Sequence, residues 1–339
     1  MSFDSRPSQL NTWLKGLFPD QDYALVMLNG DAGFRCYHRL SIDGMNYIIV
    51  DTPANKVNNL AFVEMTKAFS MQDVLVPQII AHQQELGFMC LSDFGDCLLA
   101  NNLNNITMSS LYRQALDLLP AISNIKSTDL WQLPTYDAAF LQIELNVFVD
   151  WLVVEHLDLV ISFDEKQQLQ QCFQQLINSA LEQPQVGVHR DFHSRNLMML
   201  ADDRIGVIDY QDAVIGPVTY DVVSLLRDCY VRWDDALLAP LLAKQLQITQ
   251  SQFPQFTITS EIYQQWFDLM GLQRHVKAAG IFARLYHRDN KSGYLADIPL
   301  TLSYIVDIAA KYPTLQFLSS FVADRVLPAL TKKTIRTTS

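Results

Sequence analysis

Leu10, Trp13, Leu14 and Leu17 recur at helical spacing behind Ser8, which predicts a first helix capped by Ser8. At Tyr23 the period shortens to that of a strand, with Ala24, Val26 and Leu28 alternating. The segment NGDAGF (residues 29–34) then turns the chain, and Phe34 to Leu40 reads as a second strand. Asp43-Gly44 predicts a tight hairpin turn, because both residues tolerate the positive φ such turns require, and Tyr47 to Val50 follow as a third strand. Leu60 to Ser70 has a helical pattern, and Pro77 to His82 and Phe88 to Ser92 read as two more strands. From about Ile106 the chain is mostly amphipathic helix, as over Phe140 to Val154 and Asp164 to Leu181. That texture breaks between 186 and 209, where Val186 to Val188, Leu197 to Leu200 and Ile205 to Ile208 are strand-like and Asp202-Asp203 supplies a turn. The expectation is an α+β protein: a small antiparallel β-rich N-terminal lobe with one main helix, residues 1–94, and a larger, mostly α-helical C-terminal lobe, residues 95–339.

Composition supports two lobes. A chain of 339 residues exceeds the size at which one hydrophobic core usually stops growing. With 49% hydrophobic and 18% charged residues it can bury a core throughout and carries no disordered or low-complexity signature. The first residues lack a basic region followed by an apolar one, and no stretch reaches the ~18 apolar residues a membrane span needs, so a soluble, cytoplasmic protein is expected. Five scattered cysteines without a CxxC pair read as reduced, mostly buried thiols. A net charge of −11 repels nucleic acid and anionic lipid, so no nucleic acid and no membrane is expected as a partner, and nothing in the composition calls for an obligate protein partner.

The chemistry concentrates in HRDFHSRN (residues 189–196) and, after a short hairpin, IDYQD (residues 208–212). Phosphoryl transfer needs a carboxylate to hold or deprotonate the attacking hydroxyl, and oxygen ligands to hold Mg²⁺ against the nucleotide phosphates. Asp191 suits the first task; Asn196 and Asp209 suit the second. Any one of these side chains alone is equally suited to capping a polar turn, but all three in this order, each on a loop leaving a strand, form a phosphotransfer pattern.

The segment resembles the aminoglycoside phosphotransferase and choline kinase group, relatives of the protein kinases, and the resemblance covers nearly the whole chain. It implies a two-lobed protein-kinase-like fold that uses ATP and Mg²⁺, with residues 1–94 as the nucleotide-binding lobe and 95–339 as the catalytic and substrate-binding lobe. It further implies that His189 orients the catalytic loop, Asp191 is the catalytic base, and Asn196 and Asp209 bind metal. Asp93-Phe94-Gly95 spells the protein-kinase metal motif but lies far upstream of the catalytic loop; Asp209-Tyr210-Gln211 occupies the expected place instead. Leu91, Ser92, Asp93 and Phe94 are therefore read as the hinge that pairs with the adenine edge. Gly30, Asp31, Ala32, Gly33, Phe34 and Arg35 form the loop expected to cover the ATP phosphates.

One departure stands out. Kinases usually carry a phosphate-binding lysine on the third strand, where this chain reads YIIVDTP with Asp51 near that position. Lys56, Arg35 and Arg39 are the candidates to replace its charge, and the role of Glu64 as helix partner falls into question with the lysine. The loop GDAGFRCYHR, the strand end VDTP, residues 207–230 and residues 285–299 resemble the anomeric amino-sugar kinases of bacterial cell-wall recycling, which phosphorylate the C1 hydroxyl of N-acetylmuramate and N-acetylglucosamine. Asp212, Arg227, Asp228, Arg288 and Asp289 are then the candidates to contact the sugar. Glu144 and Trp151 share a helix face that would line the cleft, whereas Asp221 is assigned to capping a helix from Val222 and tying it to the catalytic loop. Rival readings stay open: an aminoglycoside or choline/amino-alcohol O-phosphotransferase, and a nucleotide-binding pseudokinase lacking turnover.

Overall fold

The computed structural model describes residues 5–28, 35–53 and 59–338, with side chains through 333. Among these residues the strands are β1 (Ala24–Leu28), β2 (Cys36–Ile42), β3 (Met45–Asp51), β4 (Ile79–Gln83), β5 (Phe88–Ser92), β6 (Gln185–Val188), β7 (Leu197–Met199), β8 (Ile205–Val207) and β9 (Val214–Pro217). The α-helices are α1 (Arg6–Leu17), α2 (Asn59–Met71), α3 (Met108–Leu116), α4 (Leu119–Ser123), α5 (Ala138–Val147), α6 (Phe163–Leu181), α7 (Tyr220–Leu226), α8 (Asp235–Gln252), α9 (Ser260–Asp289), α10 (Ile298–Ala309), α11 (Gln316–Phe321) and α12 (Leu327–Thr338). The chain divides into two compact units. The first holds residues 1–101, 127–132 and 195–212; the second holds 102–126, 133–194 and 213–339. No described helix is long and apolar enough to cross a membrane.

In the first unit an antiparallel sheet runs in the order β1-β2-β3-β5-β4. The β2–β3 turn takes the expected form, with φ of 48° at Asp43 and 79° at Gly44. Helix α1 buries Leu10 and Leu14 in a cluster with Leu40, Ile42, Ile49, Phe88 and Cys90. Its N-cap is Ser5, not Ser8: Pro7, whose fixed φ suits a first turn, places the start one turn earlier. Residues 195–212, expected with the larger lobe, belong to this unit. The β7–β8 hairpin is stitched to it by Met199 N–H donating to Cys97 O at 2.7 Å and Val207 N–H donating to Leu75 O at 2.8 Å. Phe94 lies so close to β8 that a Cβ on Gly206 would stand 2.5 Å from its ring. Tyr210 completes the packing, its ring 5.3 Å from Phe62 and 5.2 Å from Phe69 of α2, its hydroxyl 2.8 Å from Thr66 Oγ1.

In the second unit the helices gather around α9, which runs about 45 Å and buries Trp266, Phe267, Leu272, Val276 and Phe282 among others. Thr259 caps its start, and Asn290, with φ of 57°, closes its end. The expected helix over Phe140 to Val154 is α-helical only to Val147 and continues as a π-helix from Phe148 to His156. Gly280 of α9 sits against that junction, where a Cβ would come within 2.5 Å of the Val147 and Phe148 backbone. Ser162 and Glu165 form a reciprocal capping box at α6. Strand β6 pairs with β9, and this short ribbon leads into the 189–194 loop. Three of the five cysteines are buried, and Cys36 and Cys97 are exposed.

Candidate active site

The second unit carries the loop of residues 189–194, fixed from several directions. The buried carboxylate of Asp221 in α7 accepts the backbone N–H of His189 at 2.7 Å and of Arg190 at 3.1 Å, so the expected tie to this loop is present, while Thr219, not Asp221, holds the helix-capping position. The His189 ring accepts the backbone N–H of Asp191 through Nδ1 at 3.2 Å. From α9, Arg274 donates to Arg190 O at 2.9 Å. These bonds hold Arg190 at φ of 76°, a conformation unfavourable for a side chain of its size. Asp191 is half-buried. Burial alone would raise its pKa, but Lys277, Arg190, His193 and Arg274 outweigh it and hold the carboxyl down at about 2.

Behind this loop lies a buried charge cluster. Glu144 of α5 accepts from Arg190 at 2.7 Å, Lys277 at 3.0 Å, Gln273 at 3.2 Å and the Tyr136 hydroxyl. Burial opposes ionisation of Glu144, yet Lys277 and Arg190 keep its pKa at about 2. Lys277 also donates to the Tyr220 hydroxyl at 3.1 Å. Arg190, Arg274, Lys277 and Gln273 had no place in the sequence reading. The signal available was the recurrence of Arg274 and Lys277 at helical spacing, three residues apart in a segment whose other helix positions are largely buried.

The first unit carries the other candidates. Asp209, exposed and at φ of 65°, lies beside Asn196, whose Nδ2 is 3.4 Å from Asp209 Oδ2. Gln211 Nε2 donates to Asp209 Oδ1 at 2.7 Å. Among the described residues no group of three or more His, Cys, Asp or Glu forms a metal cage. A carboxylate and an amide are nonetheless hard oxygen donors of the kind Mg²⁺ takes when phosphates and water complete its shell, so the pair fits that ion.

Gly30 to Phe34 and Lys56 lie outside the described residues. Arg35 packs its guanidinium over the Phe62 ring at 5.6 Å, with its Nε buried and unpartnered. Burial pushes the neighbouring Tyr37 hydroxyl up to about 12; Arg35 opposes that shift, while Asp209 and Asp212 add to it. Arg35 thus shares an electrostatic neighbourhood with Asp209. Arg39, by contrast, is committed to Asp93 at 2.5 Å and Asp96 at 2.7 Å. Asp51 pairs with Arg6 Nε at 2.7 Å, and buried Glu64 pairs with Lys67 at 2.8 Å. In the segment expected to form the hinge, Leu91 is hydrogen-bonded into the sheet between β3 and β4, and the Ser92 N–H is taken by Gln78 O at 2.9 Å.

The residues expected to contact the sugar belong to both units. Asp212 is exposed beside Gln211 in the first unit. In the second unit Arg227 is buried in an ion pair with Asp268 at 2.6 Å. Asp228 is buried and accepts from Ser194 Oγ at 2.9 Å, bracing the end of the 189–194 loop. Arg288 pairs with its neighbour Asp289 at 2.8 Å on the surface, and Trp151 is half-buried on the π-helix.

The architecture is that of protein-kinase-like phosphotransferases: an ethanolamine kinase of Plasmodium vivax superposes with a TM-score of 0.61 at 11% identity, over 89% of this chain and 90% of that one. The phosphotransferase enzyme family matches residues 25–254, and the chain belongs to it. Among curated proteins it is 34% identical to an N-acetylmuramate/N-acetylglucosamine kinase of Neisseria meningitidis, covering 95% of this chain and 96% of that protein. It is 36% identical to a Pseudomonas putida protein of the same name, covering 95% and 97%.

Proposed function

We propose that the protein transfers the γ-phosphoryl group of ATP to the anomeric hydroxyl of N-acetylmuramate or N-acetylglucosamine. The observation that carries the acceptor is the end-to-end agreement with relatives named for that activity, 34% and 36% identical over 95% of this chain. The loop geometry supports the reaction type. Asp191, ionised far below neutral pH, is a weak base, and an anomeric hydroxyl is more acidic than an ordinary alcohol. Asp191 therefore acts chiefly by accepting the hydroxyl hydrogen bond and aiming its oxygen at the γ-phosphorus. His189, Asp221 and Arg274 fix the backbone that presents it.

Asn196 and Asp209 would hold Mg²⁺, which when bound neutralises charge on the β- and γ-phosphates, while Gln211 steadies the Asp209 carboxylate. With Arg39 engaged by Asp93 and Asp96, Arg35 takes the place of the missing third-strand lysine on the phosphates, and the backbone of Asp93 and Phe94 pairs with adenine. The deciding experiment offers ATP and Mg²⁺ with N-acetylmuramate, N-acetylglucosamine, other hexoses, choline or kanamycin, and locates the new phosphate by NMR. A sugar 1-phosphate supports the proposal; phosphorylated choline or kanamycin alone, or ATP binding with no product, defeats it.

A further inference from the structure

Arg274, Lys277, Ile281, Arg284 and Arg288 lie on one stripe of α9, because each residue advances about 100° around a helix. Three of its four cations have protein partners. Arg274 donates to Arg190 O, Lys277 pairs with Glu144 at 3.0 Å, and Arg288 pairs with Asp289 at 2.8 Å. Arg284 is different. It is half-buried, its Nε is sealed from solvent without an acceptor, and it makes no hydrogen bond or ion pair among the described residues. Burial first, and then the charge of Arg288, hold its pKa below the ordinary value, with Asp289 and Glu144 only partly offsetting them. A desolvated guanidinium with open donors and a like charge beside it is satisfied best by an anion able to meet its planar fork.

The stripe also fixes where that anion would sit. Lys277 is one of the cations that hold the Asp191 carboxyl ionised. Arg284 is two helical turns further on the same face, about 10 Å along the axis. An amino sugar bearing a lactyl ether spans less than that between its anomeric hydroxyl and its carboxylate, and the long Arg284 side chain, leaning back toward the helix N-terminus, covers the difference. We propose that Arg284 receives the carboxylate of an acidic acceptor and so sets the preference for N-acetylmuramate over its neutral counterpart N-acetylglucosamine, an inference that rests on the proposed function above.

The experiment measures kcat/KM for both sugars in the wild type, Arg284→Gln and Arg284→Lys, with thermal unfolding of each as a folding control. Arg284→Gln should lower the ratio of N-acetylmuramate to N-acetylglucosamine efficiency about 10- to 100-fold, the worth of a charge-assisted hydrogen bond, mainly through the KM for N-acetylmuramate. Arg284→Lys, which keeps the charge but loses the fork, should fall between. An unchanged ratio in a folded Arg284→Gln protein overturns the inference while leaving the sugar kinase reading intact. Absence of turnover on both sugars in the wild type removes that reading. Calorimetric binding of N-acetylmuramate to the wild type and Arg284→Gln then still decides the carboxylate site: equal affinity refutes it, and weaker binding to the variant supports it.

Discussion

Lys277 Nζ lies 3.0 Å from Glu144 Oε1, and the same oxygen takes Arg190 Nη2 at 2.7 Å, so one buried carboxylate neutralises two cations that flank Asp191. Breaking such a cluster on one side strands the remaining charges. Glu144→Gln should therefore lower unfolding stability by about 3–5 kcal/mol, read from urea denaturation. Lys277→Met added to that variant should lose less than the sum of the single changes, with a coupling of at least ~1 kcal/mol. Simple additivity would show that the cluster does not act as a unit.

Asp191→Asn should cut turnover about 10²- to 10⁴-fold. Because the folded carboxyl has its pKa lowered to about 2, Asp191 stays ionised throughout the working range. The wild-type pH–rate profile should accordingly show no acid limb from this group between pH 5 and 8. A limb in that window that vanishes in Asp191→Asn would reassign it as a base with a raised pKa.

Removal of the Asp209 carboxylate by Asp209→Ala should abolish turnover. Gln211→Ala, which deletes the 2.7 Å bond steadying that carboxylate, should raise the Mg²⁺ concentration for half-maximal activity about 10-fold. An unaltered Mg²⁺ dependence in Gln211→Ala would show that the side chain does not orient a ligand.

Two arginines four residues apart should behave differently. Arg35→Met should raise the KM for ATP about 10- to 100-fold through loss of a phosphate contact. Arg39→Met instead breaks the pairs to Asp93 and Asp96 and should show as lowered thermal stability. If the KM effect followed Arg39, the assignment of the missing lysine's charge would be reversed.

The contrast between those arginines shows where sequence reading stops. Residues 35 and 39 share a strand face, but only the fold reveals that Asp93 and Asp96, far along the chain, capture one of them. Strand alternation and the Asp43-Gly44 turn were legible because they are local, as was the position of the helix that became α2. The return of residues 195–212 to the first unit was not legible, since it rests on backbone bonds to Leu75 and Cys97 that leave no side-chain signature. Strand β9 has no clear signature in the sequence, because AVIGP is short and carries both glycine and proline. In the motif region the order of Asp191, Asn196 and Asp209 was readable, but the cations around Asp191 were not. Lys277 and Arg274 stand more than eighty residues away and look like ordinary helix charges.

Stability toward acid should be governed in part by His275 and His156. His275 is buried, stacked on Tyr304 with ring centroids 4.3 Å apart, and its Nε2 is 3.0 Å from Arg227 O. Burial, helped by Arg227, Arg274 and Arg232, lowers its pKa to about 3. His156, buried and 3.0 Å from His287 Nε2, is lowered to about 4 by burial, Lys333 and His287. An unfolded histidine takes a proton near its ordinary pKa of about 6.5. The stabilisation from these neutral rings is thus complete above that value and is lost as the pH falls toward 4, by about 1.4 kcal/mol per pH unit for each. Asp221 acts in the opposite sense: burial raises its pKa to about 7, so between its unfolded value and 7 the native state binds the extra proton and gains stability as the pH falls. The three groups together leave a net loss of about one proton's worth of slope between pH 6 and 5. Urea denaturation at pH 7, 6 and 5 measures it. His275→Phe keeps the stack on Tyr304 but cannot titrate, and should remove about one proton from the slope; an identical slope in the variant would show that His275 is protonated alike in the folded and unfolded states.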